Sequence, residues 1–304
     1  MNNPFSESPL QKLEDALLQK KEITLYIKRD DLIHPLIQGN KWRKLKYNLK
    51  KARATGMETL LTYGGAYSNH IYATAAAAKH FNFKAVGIIR GEEPAEKSAT
   101  LKFAEEQGMQ LVYITREKYK QKNLPGNMEK LRLQFGDFYF LPEGGTNMAA
   151  LKGVAEIIDE INIEYDCVCV PCGTGGTLAG LVAGLQEENH LLGFSSLKGP
   201  DTLTADVVQY VYQYCGDEFQ NFEIISDYHF GGYAKSTPVL IDFIKDFKQR
   251  FDVQLEPVYT GKMFYGLFDL IQKDYFAPGT RIVAIHTGGL QGLSGYPELI
   301  SSTY

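Results

Sequence analysis

No apolar run in this chain comes near the roughly 20 residues that a bilayer span needs. The start carries no basic stretch leading into an apolar one, so no secretory signal is expected and a cytoplasmic home is the default. Charge of one sign is not in excess either: 304 residues carry a formal net charge of −4. That balance gives no general attraction to nucleic acid or to an anionic membrane, and neither is expected as a partner. Cysteine is limited to four residues, too few in a chain of this length for a disulfide framework. Three of them cluster in "DCVCVPC" (Cys167, Cys169, Cys172), but no histidine lies near. Cys167 and Cys169 alternate along an apolar run, which puts them on one face of a buried strand. Free cysteine packs as a small hydrophobe, and no metal site is expected. Repeats and low-complexity tracts are absent.

What is present is an ordinary globular composition, 44% hydrophobic and 22% charged, enough for one large or two smaller cores. Short β-branched runs alternate with helical patterns: "TLLTY" before "IYATAAAAKHF", "KAVGIIR" before "EKSATLKFAEEQG", "CVCVPC" before "LAGLVAGLQEE", and "FEIIS" before "TPVLIDFIKDFKQRF". This predicts an α/β fold with mostly parallel sheets. No linker marks a boundary, so two domains, if present, are interleaved. Three strand-to-helix junctions are rich in glycine: Gly64-Gly65-Ala66-Tyr67-Ser68-Asn69-His70, Gly173-Thr174-Gly175-Gly176-Thr177 and Thr287-Gly288-Gly289. Ligands of open α/β sheets bind at such junctions, and three together suggest a shared pocket.

In "QGNKWRKL", Gly-Asn signals a turn and the rest reads as a helix, placing Lys41 in its first turn. A cation is unfavourable there, because unpaired N–H groups already carry partial positive charge and Arg43 and Lys44 follow. Either these are solvated side chains on an open basic face, or Lys41 is an amine kept neutral for carbonyl chemistry. The "CGTGGTLAG" turn suits a single phosphate, with hydroxyls from Thr174 and Thr177, and lacks both the Walker ending and the last glycine of a dinucleotide fingerprint. A tight packing turn is the alternative. In "GGAYSNH", capping accounts for either Ser68 or Asn69 but not both, so the other could meet a ligand. His70 reads as an ordinary polar residue. Tyr259 and Thr260 are expected just before a glycine turn and an amphipathic helix, "PVYTGKMFYGLFDLI". By themselves they are weak signals, as is Tyr233 in "GGYAKSTP".

As an ordered set, "LYIKRDDL", "QGNKWRKL", "TYGGAYSNHIYATAAAA", "LPEGGTN", "CGTGGTLAGL", "PVYTGK" and "IHTGGLQGL" closely resemble the D-cysteine desulfhydrase and 1-aminocyclopropane-1-carboxylate (ACC) deaminase family. The motifs run from about Tyr26 to Tyr296. The resemblance implies a tryptophan-synthase-β-like (fold type II) fold, with pyridoxal 5'-phosphate as cofactor and a homodimer as the assembly. It further implies a larger cofactor domain from residues 1–51 and 149–304, and a smaller α/β domain inserted at residues 52–148. On matching positions, Lys41 resembles the Schiff-base lysine, Asn69 the partner of the cofactor's phenolic oxygen, and Ser68 the residue near the substrate carboxylate and reacting carbon. Gly173, Thr174, Gly175, Gly176 and Thr177 resemble the phosphate cup. Tyr259 and Tyr233 match the active-site tyrosines, and Thr260 the partner of the pyridine nitrogen. Gln38 replaces a glycine of the family pattern, and the spacing from Tyr233 to Pro238 is longer than usual. ACC deaminases typically carry Glu and Leu where this chain has Thr260 and Thr287. A hydroxyl supports a weaker electron sink than a carboxylate, and Thr287 offers no apolar wall to a cyclopropane. The implied activity is therefore elimination from an open-chain amino acid, D-cysteine first, giving a 2-oxo acid and ammonia. ACC ring opening is the alternative, and a ligand-binding relative without turnover is the non-enzymatic one.

Overall fold

The alternating strands and helices assemble into two sheets in the computed structural model, which describes residues 5, 7–199 and 202–300. The larger sheet has the order β1 (Leu10–Leu13), β2 (Thr24–Lys28), β10 (Arg281–Ile285), β7 (Cys167–Cys172), β8 (His190–Ser195) and β9 (Phe222–Ile225). Only β1 runs antiparallel to its neighbour, and Val283 pairs with Val168 while Cys169 pairs with Leu192. The smaller sheet is wholly parallel, in the order β5 (Met109–Ile114), β4 (Lys84–Arg90), β3 (Thr59–Gly64) and β6 (Tyr139–Leu141).

Parallel strands covered on both faces read as continuous apolar runs, and β7, buried at every position, is one of them. Its alternation sorts the side chains. Cys167 and Cys169 face the core shared with α1 (Ala16–Lys20), α10 (Pro238–Phe251) and α11 (Thr260–Gln272). Val168, Val170 and Cys172 face α7 (Met148–Asp159), α8 (Gly176–Leu185) and α9 (Leu203–Cys215). The cysteines are free, and no group of metal-ligating side chains occurs among the described residues.

The smaller sheet divides in the same way. Leu60 packs with α2 (Gly39–Ala54), α3 (Asn69–His80) and α4 (Ala99–Glu106), whereas Leu61 packs on the side of α5 (Arg116–Lys120) and α6 (Asn127–Phe135). A short helix, α12 (Pro297–Ile300), follows the last strand.

Helix α2 serves both halves. Leu45, Leu49 and Ala52 enter the core of the smaller sheet. Arg43 turns the other way, into a buried ion pair with Asp30 at 2.9 Å and a second with Glu160. Glycine at 153 permits this docking, because a Cβ there would lie 2.1 Å from the Arg43 carbonyl oxygen on α2. The start of α2, and with it Lys41, is thereby held where the carboxyl ends of both sheets meet.

Candidate active site

Between those carboxyl ends lies a cavity of about 360 Å³. Its lining follows the strand ends: Ser68 and Asn69 beyond β3, Arg90 closing β4, Glu143 and Gly144 beyond β6, Gly173 to Thr177 beyond β7, and Thr287 beyond β10. Lys41, Tyr233 and Tyr259 complete it. The three glycine-rich junctions thus meet in one pocket, at the place where open α/β sheets bind ligands.

The turn at the start of α2 is tight. Gly39 has φ +56°, and a Cβ there would sit 1.9 Å from the Thr287 carbonyl oxygen. Gln38 does not cap the helix. Its Nε2 donates to the Pro35 carbonyl at 3.1 Å and its Oε1 accepts from the Leu290 amide at 3.2 Å, tying the helix start to the Thr287 turn. Lys41 Nζ donates to the Gly144 carbonyl at 3.4 Å. Lys44, one turn on, donates to the same carbonyl at 3.4 Å and to Thr146 Oγ1 at 3.2 Å. Burial lowers the Lys41 pKa to about 8, and burial together with the charge of Lys41 lowers that of Lys44. Arg43 and Lys44 are both buried, so the open basic face does not form. Arg43 is spent on its ion pairs, and Lys44 is the second amine beside Lys41.

The turn after β7 is shaped for an anion. Gly175 adopts φ +76° ahead of α8, whose first N–H groups have no partner within the helix. A Cβ at Gly176 would lie 2.1 Å from Thr146 Oγ1, so only glycine lets that hydroxyl close in. Thr146 Oγ1 is 3.3 Å from Thr174 Oγ1, and Thr177 Oγ1 accepts from Asn40 Nδ2 at 2.9 Å. Two amines, Lys44 buried and Lys41 half-buried, therefore stand beside a helix N-terminus and three hydroxyls. No carboxylate is hydrogen-bonded to either amine among the described residues. Such a set is completed by a phosphate.

Across the cavity, Ser68 caps α3, its Oγ accepting from the Ile71 amide at 3.2 Å. Asn69 takes no part in capping; its Oδ1 accepts from Gln291 Nε2. His70 is buried in the wall. Its Nε2 lies 2.9 Å from Thr62 Oγ1, its Nδ1 has no partner among the described residues, and burial holds its pKa well below the usual value, with Lys41 and Lys44 adding to the effect.

Tyr259 leans on Gly173, where a Cβ would come within 3.0 Å of its ring, and its ring centroid is 6.0 Å from that of Tyr233. Burial raises both phenols, so each keeps its proton at neutral pH. Tyr233 sits at the mouth, 44% exposed. Its loop has positive φ at Phe230, Gly231, Gly232 and Ala234.

Thr260 is placed differently from the other expected residues. It is fully buried and does not line the cavity; its Oγ1 accepts from the Glu256 amide at 3.0 Å and lies 3.2 Å from Glu256 Oε1. Nor is there a glycine turn after it. Thr260 opens α11 and Gly261 is helical, where a Cβ would meet the Glu256 carbonyl oxygen at 2.8 Å. Sequence reading gave Lys44 a part only as positive charge near Lys41, not as a contact of the anion cradle, and gave no part to Thr146 and Glu256. Lys44 shares its helix face with Lys41 at i, i+3, which was a usable signal; the other two are brought in by long-range packing.

The family model for pyridoxal-phosphate dependent enzymes matches residues 3–288. The chain is 30% identical to D-cysteine desulfhydrase of Serratia proteamaculans, over 96% of this chain and 94% of that one. It is 32% identical to the mitochondrial bifunctional D-cysteine desulfhydrase/1-aminocyclopropane-1-carboxylate deaminase of Arabidopsis thaliana, over 88% of this chain and 73% of that protein. A crystal structure of an ACC deaminase homologue superposes with a TM-score of 0.83 at 30% identity, covering 99% of this chain and 96% of that one.

Proposed function

The chain belongs to the pyridoxal-phosphate-dependent enzyme family, with the tryptophan-synthase-β-like (fold type II) architecture, and we propose that it is a lyase acting on a small open-chain amino acid, D-cysteine first. The observation that carries this reading is the convergence on one cavity of a lysine amine lowered to about 8, an anion cradle and two protonated phenols.

Pyridoxal phosphate, when bound, supplies the electron sink that lets an amino acid lose its Cα proton and a Cβ substituent. The residues present fit that group. Lys44, Asn40, the hydroxyls of Thr146, Thr174 and Thr177 and the start of α8 would hold its phosphate. Asn69 would meet its phenolic oxygen, and Lys41 would hold it covalently.

Lowered to about 8, a free Lys41 Nζ would be a base suited to a proton near neutral pH. Ser68 spends an acceptor position on Ile71 and keeps its own proton for the substrate, while the start of α3 favours the substrate carboxylate. Tyr259 Oη, protonated at rest, can give its proton to a departing group but is no resting base. The products are a 2-oxo acid and ammonia, with sulfide from D-cysteine.

Thr287 supports the open-chain substrate, since it brings a hydroxyl and little bulk to the cavity wall. Turnover of ACC is the second reading, favoured by the bifunctional Arabidopsis relative. We further place the inserted domain at residues 52–148, which contains all four strands of the smaller sheet, and the enzyme in the cytoplasm as a homodimer. No helix among the described residues is long and apolar enough to cross a membrane. Size-exclusion chromatography with light scattering tests the dimer.

The deciding assay supplies D-cysteine, other D- and L-β-substituted amino acids and ACC to the holoprotein, and measures keto acid, ammonia and sulfide. Pyruvate and sulfide from D-cysteine, with little 2-oxobutyrate from ACC, is the expected result. Efficient ACC turnover without elimination from D-cysteine overturns the substrate assignment. Borohydride should fix the cofactor to the peptide bearing Lys41, and trapping elsewhere overturns the site.

A further inference from the structure

We propose that Gln291 is a positioning residue that fixes the orientation of the Asn69 carboxamide, so that its Nδ2 rather than its Oδ1 is presented to the cofactor. This rests on the reading of Asn69 as the partner of the cofactor's phenolic oxygen.

Asn69 is the first residue of α3, and Ser68 already supplies that helix with its cap. Its side chain is therefore not held by its own helix. An isolated carboxamide can turn by half a revolution and exchange its donor and acceptor ends with almost no change in shape. A phenolate oxygen accepts hydrogen bonds, so the two orientations differ in sign: one donates to it and the other repels it.

Two contacts break the degeneracy. Gln291 Nε2 donates to Asn69 Oδ1, which commits the oxygen to the protein side. Nδ2 has no hydrogen-bond acceptor among the described residues, and Asn69 lines the cavity. It rests on Gly289, where a Cβ would stand 2.4 Å away, so glycine at φ +87° is what admits the amide.

The contact also crosses the crevice. Asn69 follows β3 of the smaller sheet, whereas Gln291 follows β10 of the larger one in a short 3₁₀ segment, Leu290–Gly295. That segment is itself fixed. Gln38 Oε1 accepts from the Leu290 amide at 3.2 Å, and the Asn40 amide donates to the Thr287 carbonyl at 3.3 Å. The residues around Lys41 thus anchor the segment at one end, and Gln291 delivers it to Asn69 at the other.

The test uses full-length holoprotein and two substitutions. Gln291→Glu has nearly the same shape but can only accept, so it pulls Nδ2 toward itself and turns Oδ1 to the cavity. Gln291→Met removes the contact without imposing a direction. Both are read by the absorption spectrum of the bound cofactor and by its dissociation constant, with Asn69→Ala as reference and thermal unfolding as the control for folding.

Gln291→Met should weaken cofactor binding by roughly five- to tenfold, the worth of about one neutral hydrogen bond. Gln291→Glu should weaken it more and move the absorption maximum in the direction that Asn69→Ala moves it. If Asn69→Ala changes the spectrum while neither Gln291 variant does, the positioning role is wrong and the Asn69 reading survives. An unchanged spectrum in Asn69→Ala refutes the Asn69 reading and the inference with it. A Gln291→Met effect larger than that of Gln291→Glu refutes the orientation and leaves only packing.

Discussion

At the residue scale, the chemistry depends on an amine and a phenol whose protons are set by burial. Lys41 is lowered to about 8, so the neutral, nucleophilic form accumulates as pH passes that value. The rate at which apoprotein recaptures pyridoxal phosphate should rise with pH to a plateau whose midpoint is near 8. Stopped-flow absorbance measures it, and a midpoint near the ordinary lysine value of 10.5 would show that the amine is not buried in the working protein. The linkage has the matching sign. Between about 8 and 10.5 the unfolded chain binds more protons at this lysine than the folded one, so Lys41 makes apoprotein stability rise with pH across that window. Tyr259→Phe keeps the ring against Gly173 and removes only the proton. The bound-cofactor spectrum should survive while kcat falls about 10²- to 10⁴-fold, the usual worth of a general acid. An unchanged kcat returns Tyr259 to a packing role.

Among the elements, the start of α11 shows how a buried charge positions a side chain. Glu256 is 1% exposed, and its carboxylate accepts from the amides of Val258 at 2.7 Å, Tyr259 at 2.8 Å and Thr260 at 2.7 Å. These are N–H groups that the beginning of the helix leaves without intrahelical partners, and they set where Tyr259 projects. Glu256→Ala removes hydrogen bonds to a charged group that are worth about 1.5–3 kcal/mol each. It should cost at least about 2 kcal/mol in urea unfolding and should lower kcat through Tyr259. Glu256→Gln keeps one acceptor and should lose about half as much. A Glu256→Ala protein as stable as the wild type would mean that water takes over the capping.

For the molecule as a whole, the relation between the two sheets is held at α2. Arg43 meets Asp30 and Glu160, and Lys28 joins Glu160 at 2.9 Å, so β2, α2 and the end of α7 share one cluster of charge in which Lys28, Asp30 and Arg43 are buried and Glu160 reaches the surface. Asp30 and Arg43 are both almost inaccessible, at 0% and 5%. Removing the Asp30 charge leaves the buried Arg43 with Glu160 alone, and breaking a buried pair typically costs about 3–5 kcal/mol. Asp30→Asn should therefore lower the unfolding midpoint sharply and also weaken cofactor retention, because Lys41 and Lys44 flank Arg43. Chemical denaturation of apo and holo forms separates the two effects. Loss of less than about 1 kcal/mol would show that Glu160 alone satisfies Arg43.

The sequence by itself determined the alternation of strands and helices, the glycine junctions and the lysine placed against the dipole of its own helix. These are local properties, written in periods of two and 3.6 and in the need of tight turns for glycine. Ordered motifs then carried it to a family. Tertiary structure alone decided which polar groups meet. It spent Arg43 on Asp30 and Glu160 and left Lys44 beside Lys41. It took Thr260 out of the cavity onto Glu256, and set Gln38 and Gln291 to join the turn after β10 to both sides of the crevice. Such pairings join residues up to 252 positions apart. Their partners are chosen by the packing of two sheets, because a polar side chain driven inside must take whatever donor or acceptor the fold brings within reach.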